Sequence, residues 1–247
     1  MLKLLLSTAL CLPMIAAGST AGMAKDLVGV VELFTSQGCS SCPPADVTLA
    51  RLIDEGDVLA LSYHVDYWNY LGWKDTLSSA ASTERQYGYA RTLNRNSVYT
   101  PQAVINGRDH VNGADHSAIV ASLSAMQRKH QDPLVDVSIV SDPQGMQVHI
   151  GAGKGKANVV AVYFDEKNKV AIGRGENSGK TVTYRHSVRA METIGMWSGE
   201  AVTLKLPESV LGAHPERGCA ILLQEVSSDG APGAILGAAE LGTKISG

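Results

Sequence analysis

The apolar positions along the chain change rhythm near its middle. In the first half, short unbroken apolar runs alternate with stretches of helical spacing. Val28–Phe34 and Val58–Val65 read as strands buried on both faces. Ala45–Ile53, with Leu49, Leu52 and Ile53 on one side, reads as a helix, and Leu77–Leu93 as a second. Ala103–Ile105 is a third short strand. Asn106–Gly107 is a tight-turn signal leading to His110–Val111, and Ala114–Met126 is a closing helix. The expected order is β-α-β-α-β-β-α.

After Gln131-Asp132-Pro133 the pattern turns to alternation. Leu134–Val140 and Met146–Ile150 alternate apolar and polar around a turn at Asp142–Gly145. Val159–Phe164 and Lys169–Ile172 are expected as strands parted by a Glu166–Asn168 turn. Ala201–Leu206, Cys219–Val226 and Ala234–Leu241 follow as strands, with Ser187–Ile194 as one interrupting helix. The glycine-rich Gly151–Gly155 lacks phosphate-loop spacing and reads as a hairpin tip. The fold class is therefore α/β: an alternating domain over 25–131, then an antiparallel, β-rich, sandwich-like domain over 132–247.

Composition narrows the function classes. The 247 residues carry 21 Lys plus Arg against 24 Asp plus Glu, which argues against a phosphate-backbone binder. Hydrophobic residues make up 45%, so a packed core is affordable and disorder is excluded. The start, Met1-Leu2-Lys3 followed by an apolar run to Ala17 and then small residues, reads as a secretory signal over 1–24, cleaved after Ala21 or Ala24. A lipid anchor at Cys11 is disfavoured because Leu10 precedes it. The expectation is an exported protein, periplasmic or extracellular, with no membrane anchor after cleavage and no nucleic-acid partner. That compartment permits disulfides.

Four cysteines are too few for a disulfide scaffold of this size. Cys39-Ser40-Ser41-Cys42 stands apart, because it follows the first strand and precedes a helix. The helix dipole and unpaired N–H groups there favour a thiolate, and two intervening residues let the sulfurs close a small disulfide. In this reading Cys39 is the exposed attacker and Cys42 the resolving partner. A structural disulfide and half of a metal site are the plainer alternatives. Pro43 and Pro44 remove backbone donors, so the helix is expected to begin late or irregularly.

Thr100-Pro101 precedes the third strand. Together with the element order and the CxxC, it makes residues 27–130 resemble the thioredoxin fold. The resemblance implies a cis Thr100–Pro101 bond beside the cysteines, with nearby backbone able to pair with a substrate. Gly38 departs from the Trp that thioredoxin carries before its first cysteine. A closer resemblance runs along nearly the whole chain. Val30–Asp46, His64–Trp68, Gly72–Asp75, Tyr99–Gln102, Gly175–Asn177 and Thr183–Tyr184 look like a family of secreted bacterial thioredoxin-like proteins labelled a domain of unknown function.

Other candidates follow from position. His64 and Asp66 lie at the carboxyl end of the second strand, at the edge where the cysteines lie, and either could pass a proton to a leaving thiol; capping and packing are the plainer roles. Asp66 is retained as a catalytic candidate with Cys39 and Cys42. Tyr67, Trp68, Tyr70 and Trp73, with Tyr63, are read as a groove lining or a loop covering the sheet. Tyr67, Trp68, Thr100 and Pro101 are kept as substrate-binding candidates. Arg85 and Gln86 are expected on a solvated helix face. Cys219 reads as a buried thiol, and His149, His186 and His214 show no metal spacing.

The leading expectation is a thiol–disulfide oxidoreductase with no cofactor. Its partners would be a protein or small thiol or disulfide substrate and a redox-recycling partner. A thiolate copper carrier using the two cysteines with His64 is one alternative. A non-enzymatic binding module with a locked disulfide is the other.

Overall fold

The computed structural model describes residues 27–130, 135–142, 145–207 and 217–241. The signal-peptide reading of 1–24, the boundary at Gln131–Pro133 and His214 lie outside the described residues.

The first half runs β1 (Gly29–Thr35), α1 (Pro43–Glu55), β2 (Val58–His64), a 3₁₀ turn at Asn69–Leu71, α2 (Ala80–Thr92), β3 (Gln102–Ile105), β4 (Asp109–Asn112) and α3 (His116–Arg128). This is the order read from the sequence. β1 lies parallel to β2 and antiparallel to β3, which pairs with β4. The second half supplies β5 (Val137–Asp142), β6 (Gly145–Ile150), β7 (Ala157–Ala171), β8 (Thr181–Trp197), β9 (Val202–Pro207), β10 (Gly218–Val226) and β11 (Pro232–Leu241).

These strands form two sheets: an eight-stranded one ordered β11-β10-β7-β8-β2-β1-β3-β4, and a three-stranded one ordered β5-β6-β9. The fold is mixed α/β with a large, mostly antiparallel sheet. β8 joins β2 in parallel at Ser62 and Ser187, so strands of the second half continue the sheet of the first.

Strand alternation sorts side chains into three cores. Val31 and Leu33 of β1 and Val58 and Ala60 of β2 pack with Leu49, Leu52, Ile119 and Leu123 of α1 and α3. The opposite face, Val30, Phe34, Leu59, Leu61 and Tyr63, meets Tyr89 of α2 and continues to Val162, Phe164, Ala220 and Leu222. Val159, Ala161, Ile221 and Leu223 point the other way, onto Met146, Val148 and Ile150 of the small sheet.

Four expectations are corrected. The helix at Ser187–Ile194 is part of strand β8. Register shifts against β7 at Val159/Val160 and Tyr163/Phe164 leave Ile194 and Arg189 as extra residues. Each bulge breaks the two-residue alternation, and the broken pattern imitates helical spacing. The turn at Glu166–Asn168 is instead mid-strand, where Lys167 opposes Arg185 and Asn168 opposes Tyr184. Gly151–Gly155 is a crossover between the two sheets rather than a hairpin tip. Finally, α1 begins at Pro43, directly after Cys42, because prolines suit the first positions of a helix, whose N–H groups have no intrahelical acceptor.

Candidate functional site

The loop from Ser36 to Ser41 carries the chain from β1 into α1. The Cys39 N–H donates to the Ser36 carbonyl and the Cys42 N–H to the Cys39 carbonyl, each at 3.2 Å. Cys42 is the cap residue of α1. Cys39 and Cys42 form a disulfide with their Cα atoms 5.4 Å apart. Cys39 is only 1% exposed and Cys42 fully buried, which corrects the picture of Cys39 as an exposed attacker. The Ser41 hydroxyl lies 3.3 Å from Cys39 Sγ and makes a long 3.5 Å hydrogen bond to the Thr100 carbonyl.

Thr100–Pro101 is cis, as the resemblance implies. The Trp68 indole N–H donates to Thr100 Oγ1 at 2.8 Å. Trp68 also backs Gly38, where a Cβ would sit 3.2 Å from Trp68 Cβ and 3.3 Å from its carbonyl oxygen. A side chain before the first cysteine would press on Trp68, which would have to give by a few tenths of an ångström. Cys39, Cys42, Ser41, Thr100, Pro101 and Trp68 are brought together. Tyr67 lies between this group and α2, its hydroxyl donating to Gln86 Oε1 and lying beside the Thr100 side chain, and its ring 6.2 Å from that of Trp68. Asp66 turns to the same helix, its carboxylate accepting from Thr83 at 2.6 Å. Tyr70 is exposed, and Tyr63 is buried in the core.

Behind the disulfide lies a polar knot. Asp75 accepts from the Gln37 N–H at 2.8 Å, from the Leu77 N–H at 2.8 Å, and pairs with His64 Nδ1 at 2.8 Å. Burial alone would push the Asp75 carboxyl up. The facing His64 and the two N–H groups outweigh it and hold the carboxyl below its ordinary range. The Gln37 carboxamide takes hydrogen bonds from the Trp73 indole and the Thr76 N–H, so the loop before Cys39 is pinned on its inner side.

Asp46, in the first turn of α1, is the second buried acid. It accepts from Thr35 Oγ1 at 2.9 Å. Its other oxygen, Oδ2, has no hydrogen-bond partner among the described residues, and neither has His64 Nε2. Burial pushes Asp46 up to about 7, against the lowering pull of His64 and the Thr35 hydrogen bond and with the help of Asp75. His64 also meets Tyr184 edge-on at 4.7 Å.

The β7–β8 loop of the second half reaches over the cysteines. Asn177 Nδ2 donates to the Gln37 carbonyl at 3.0 Å and to the Cys39 carbonyl at 2.8 Å. Lys180 Nζ donates to Asn177 Oδ1 at 2.8 Å, and the Ser40 N–H donates to Glu176 Oε2 at 3.2 Å. Gly175 makes this turn with φ +76°, and a Cβ there would lie 3.2 Å from Trp73 Cβ.

Sequence reasoning did not assign roles to Asp46, Asp75, Glu176 or Asn177. Asp46 was findable as an acid in the first turn after a CxxC. Glu176 and Asn177 carry no local signal beyond their place in the family resemblance. Cys219 is buried and free, and burial pushes its thiol up to about 12. His149 bonds Thr203, and His186 bonds the Ala60 carbonyl beneath Phe164. Among the described residues no group of three or more His, Cys, Asp or Glu is placed to hold a metal ion.

Fold and site together define a mixed α/β protein with one CxxC disulfide at the start of a helix, beside a cis proline. The chain matches the family described as a protein of unknown function, DUF1223, over residues 30–224, and it belongs to that family. It is similar to a protein from Agrobacterium tumefaciens solved by X-ray crystallography in a structural genomics programme. That likeness has 51% identity and a TM-score of 0.84, over 90% of this chain and 97% of that one. HBP35 of Porphyromonas gingivalis shares the fold at a TM-score of 0.60 and 13% identity, over 89% of this chain and 76% of that one. No curated protein matches the chain.

Proposed function

We propose that the protein is an exported, thioredoxin-like thiol–disulfide oxidoreductase working through Cys39 and Cys42. The observation that carries this reading is the juxtaposition of the Cys39–Cys42 disulfide with cis Thr100–Pro101, linked by the Ser41 hydroxyl. A structural staple needs neither the proline nor a polar bridge to its preceding carbonyl. The element order of the first half and the position of the CxxC ahead of α1 support the same reading. Export rests on the composition of residues 1–24.

The chemistry is two successive exchanges. In the reduced protein the Cys39 thiolate attacks one sulfur of a substrate disulfide. A Cys39–substrate bond forms, and the other substrate sulfur leaves as a thiolate and takes a proton. The Cys42 thiolate then attacks Cys39 Sγ, closing the Cys39–Cys42 bond and releasing the second substrate thiol. Two electrons and two protons pass to the substrate, and an external dithiol restores the reduced pair. Asp46 is a local proton acceptor for Cys42, since burial holds it near neutrality one helical turn away. For a substrate to approach Cys39, Ser41 must leave the Thr100 carbonyl.

The 1% exposure of Cys39 favours a second reading, a locked disulfide on a binding module. Insulin reduction driven by dithiothreitol separates the two. The first reading expects wild type to accelerate precipitation of the insulin B chain and Cys39→Ser to fall to the uncatalysed rate. Equal rates for wild type, Cys39→Ser and buffer would leave the locked disulfide standing.

A further inference from the structure

The surroundings of Cys39 bear on the direction of electron flow. A thiolate at the start of a helix is ordinarily stabilised by the N–H groups that point at it. Here most of those donors are missing or committed. Pro43 and Pro44, the first two residues of α1, have no N–H. The Cys42 N–H is committed to the Cys39 carbonyl, and the Ala45 and Asp46 N–H groups to the Cys42 carbonyl. The Ser40 N–H, next to the attacking sulfur, donates to the Glu176 carboxylate at 3.2 Å. Burial of Cys39 adds a desolvation cost to any charge on it. The Ser41 hydroxyl, 3.3 Å from Cys39 Sγ, is a neutral donor in contact with the sulfur.

The neighbouring charges are of both signs. On the β7–β8 loop, Lys180 donates to the neutral side chain of Asn177, which holds the Gln37 and Cys39 carbonyls, and keeps its positive charge there. On α1 the nearest ionisable group is the acid Asp46. Behind Gln37 stand His64 and Asp75, paired with each other. Glu176 is therefore a negative charge brought by the second half of the chain to the backbone beside Cys39, on a turn fixed by Gly175 and Asn177.

We infer that Glu176 is a positioning residue that disfavours the Cys39 thiolate and so, where pH is high enough to ionise that thiol, shifts the pair toward the disulfide and makes the reduced pair the better electron donor to substrate disulfides. The inference rests on the exchange reading for its use, but the effect on the thiol exists without it. Disfavouring the thiolate destabilises only the reduced protein, because the disulfide carries no charge, and it does so in proportion to how far pH has ionised the thiol. The balance reduced protein plus substrate disulfide giving oxidised protein plus two substrate thiols is thereby pulled toward the thiols.

The test is a charge series at one exposed position: wild type, Glu176→Gln and Glu176→Lys. Gln keeps an acceptor for the Ser40 N–H and removes only the charge. Two quantities are read in each variant. One is the pH dependence of Cys39 alkylation by iodoacetamide in the reduced protein. The other is the equilibrium of the pair with reduced and oxidised glutathione. Wild-type Cys39 is expected to titrate above the ~8.5 of an ordinary thiol. Glu176→Gln is expected to shift the thiol ionisation constant by about threefold toward thiolate, as suits an exposed charge. It is expected to shift the glutathione equilibrium toward reduced protein by a comparable factor when that equilibrium is read at a pH above the thiol's ionisation, with little change at pH 7. Glu176→Lys is expected to shift them further in the same direction, and high salt to shrink both shifts. Superimposed titrations, an order that does not follow charge, or a wild-type thiol titrating well below 8.5 would overturn the inference. An ordered charge series in a protein that shows no Cys39-dependent insulin reduction would uphold the inference and sink the exchange reading instead.

Discussion

Two of the buried polar knots among the described residues are built differently. The first joins the halves of the molecule. Glu32, in the middle of β1, is fully buried and pairs with Arg85 of α2 at 2.8 Å. Tyr89 donates to the same carboxylate, and Arg85 donates to Gln224 of β10 at 2.9 Å. Gln224 in turn donates to the Tyr89 hydroxyl and the Gly233 carbonyl. The second knot, Thr35, Asp46, His64 and Asp75, lies behind the disulfide and leaves Asp46 Oδ2 and His64 Nε2 unpartnered. A satisfied network fixes one arrangement of strands and helix. An incompletely satisfied one keeps a group that changes charge near neutral pH, as a site of proton transfer requires.

The largest expected effect comes from breaking the first knot. Arg85→Met leaves Glu32 buried without its cation and is expected to cost about 3–5 kcal/mol in urea unfolding. Adding Glu32→Gln to that variant should restore a good part of the loss, because the orphaned charge goes with it. Cys39 chemistry should be unaffected in whichever of these variants folds. If Arg85→Met proves nearly neutral, the first knot is not the fastening between halves that its bonds describe.

A smaller effect, different in kind, is expected from the second knot. Asp46 has its carboxyl raised in the folded protein, so folding favours the protonated acid. Its contribution is fully present below the ordinary carboxylate range near 4 and is lost as pH climbs through about 7. Asp46→Asn should therefore flatten the pH dependence of stability between pH 4 and 8. At pH 8 it should be more stable than wild type, on the order of 2–3 kcal/mol. Asp46→Asn should also slow the resolving step by Cys42 while leaving attack by Cys39 in place. Parallel stability curves for variant and wild type across this range would remove Asp46 from the proton-transfer role.

The contrast also explains what was legible in the sequence. Local rhythm gave the order of the first half, because each of its elements is a clean run or a clean helical stripe. Cys39-Ser40-Ser41-Cys42 and Thr100-Pro101 could be read because their chemistry depends on spacing and residue type alone. Arg85 could not: on its helix it reads as a solvated cation, and only the long-range approach of Glu32 buries it. The clue was an acid inside the apolar run Val30-Val31-Glu32-Leu33-Phe34. Asp66 stands out in the sequence because it follows a strand at the expected edge, whereas Asp46 carries no such signal. The structure ties Asp66 to Thr83 and sets Asp46 behind the cysteines instead. Strand β8 was hidden by two bulges, and the reach of Glu176 and Asn177 across the molecule has no signature in their own neighbourhood.

The central claim, that Cys39 and Cys42 exchange disulfides rather than staple a loop, is tested most directly by trapping the intermediate. A Cys42→Ser protein, reduced and mixed with oxidised insulin, is analysed by intact-mass spectrometry. The expected result is a one-to-one adduct through Cys39 that dithiothreitol dissolves and that Cys39→Ser/Cys42→Ser does not form. No adduct in a folded Cys42→Ser protein whose Cys39 is alkylated by iodoacetamide would contradict the claim.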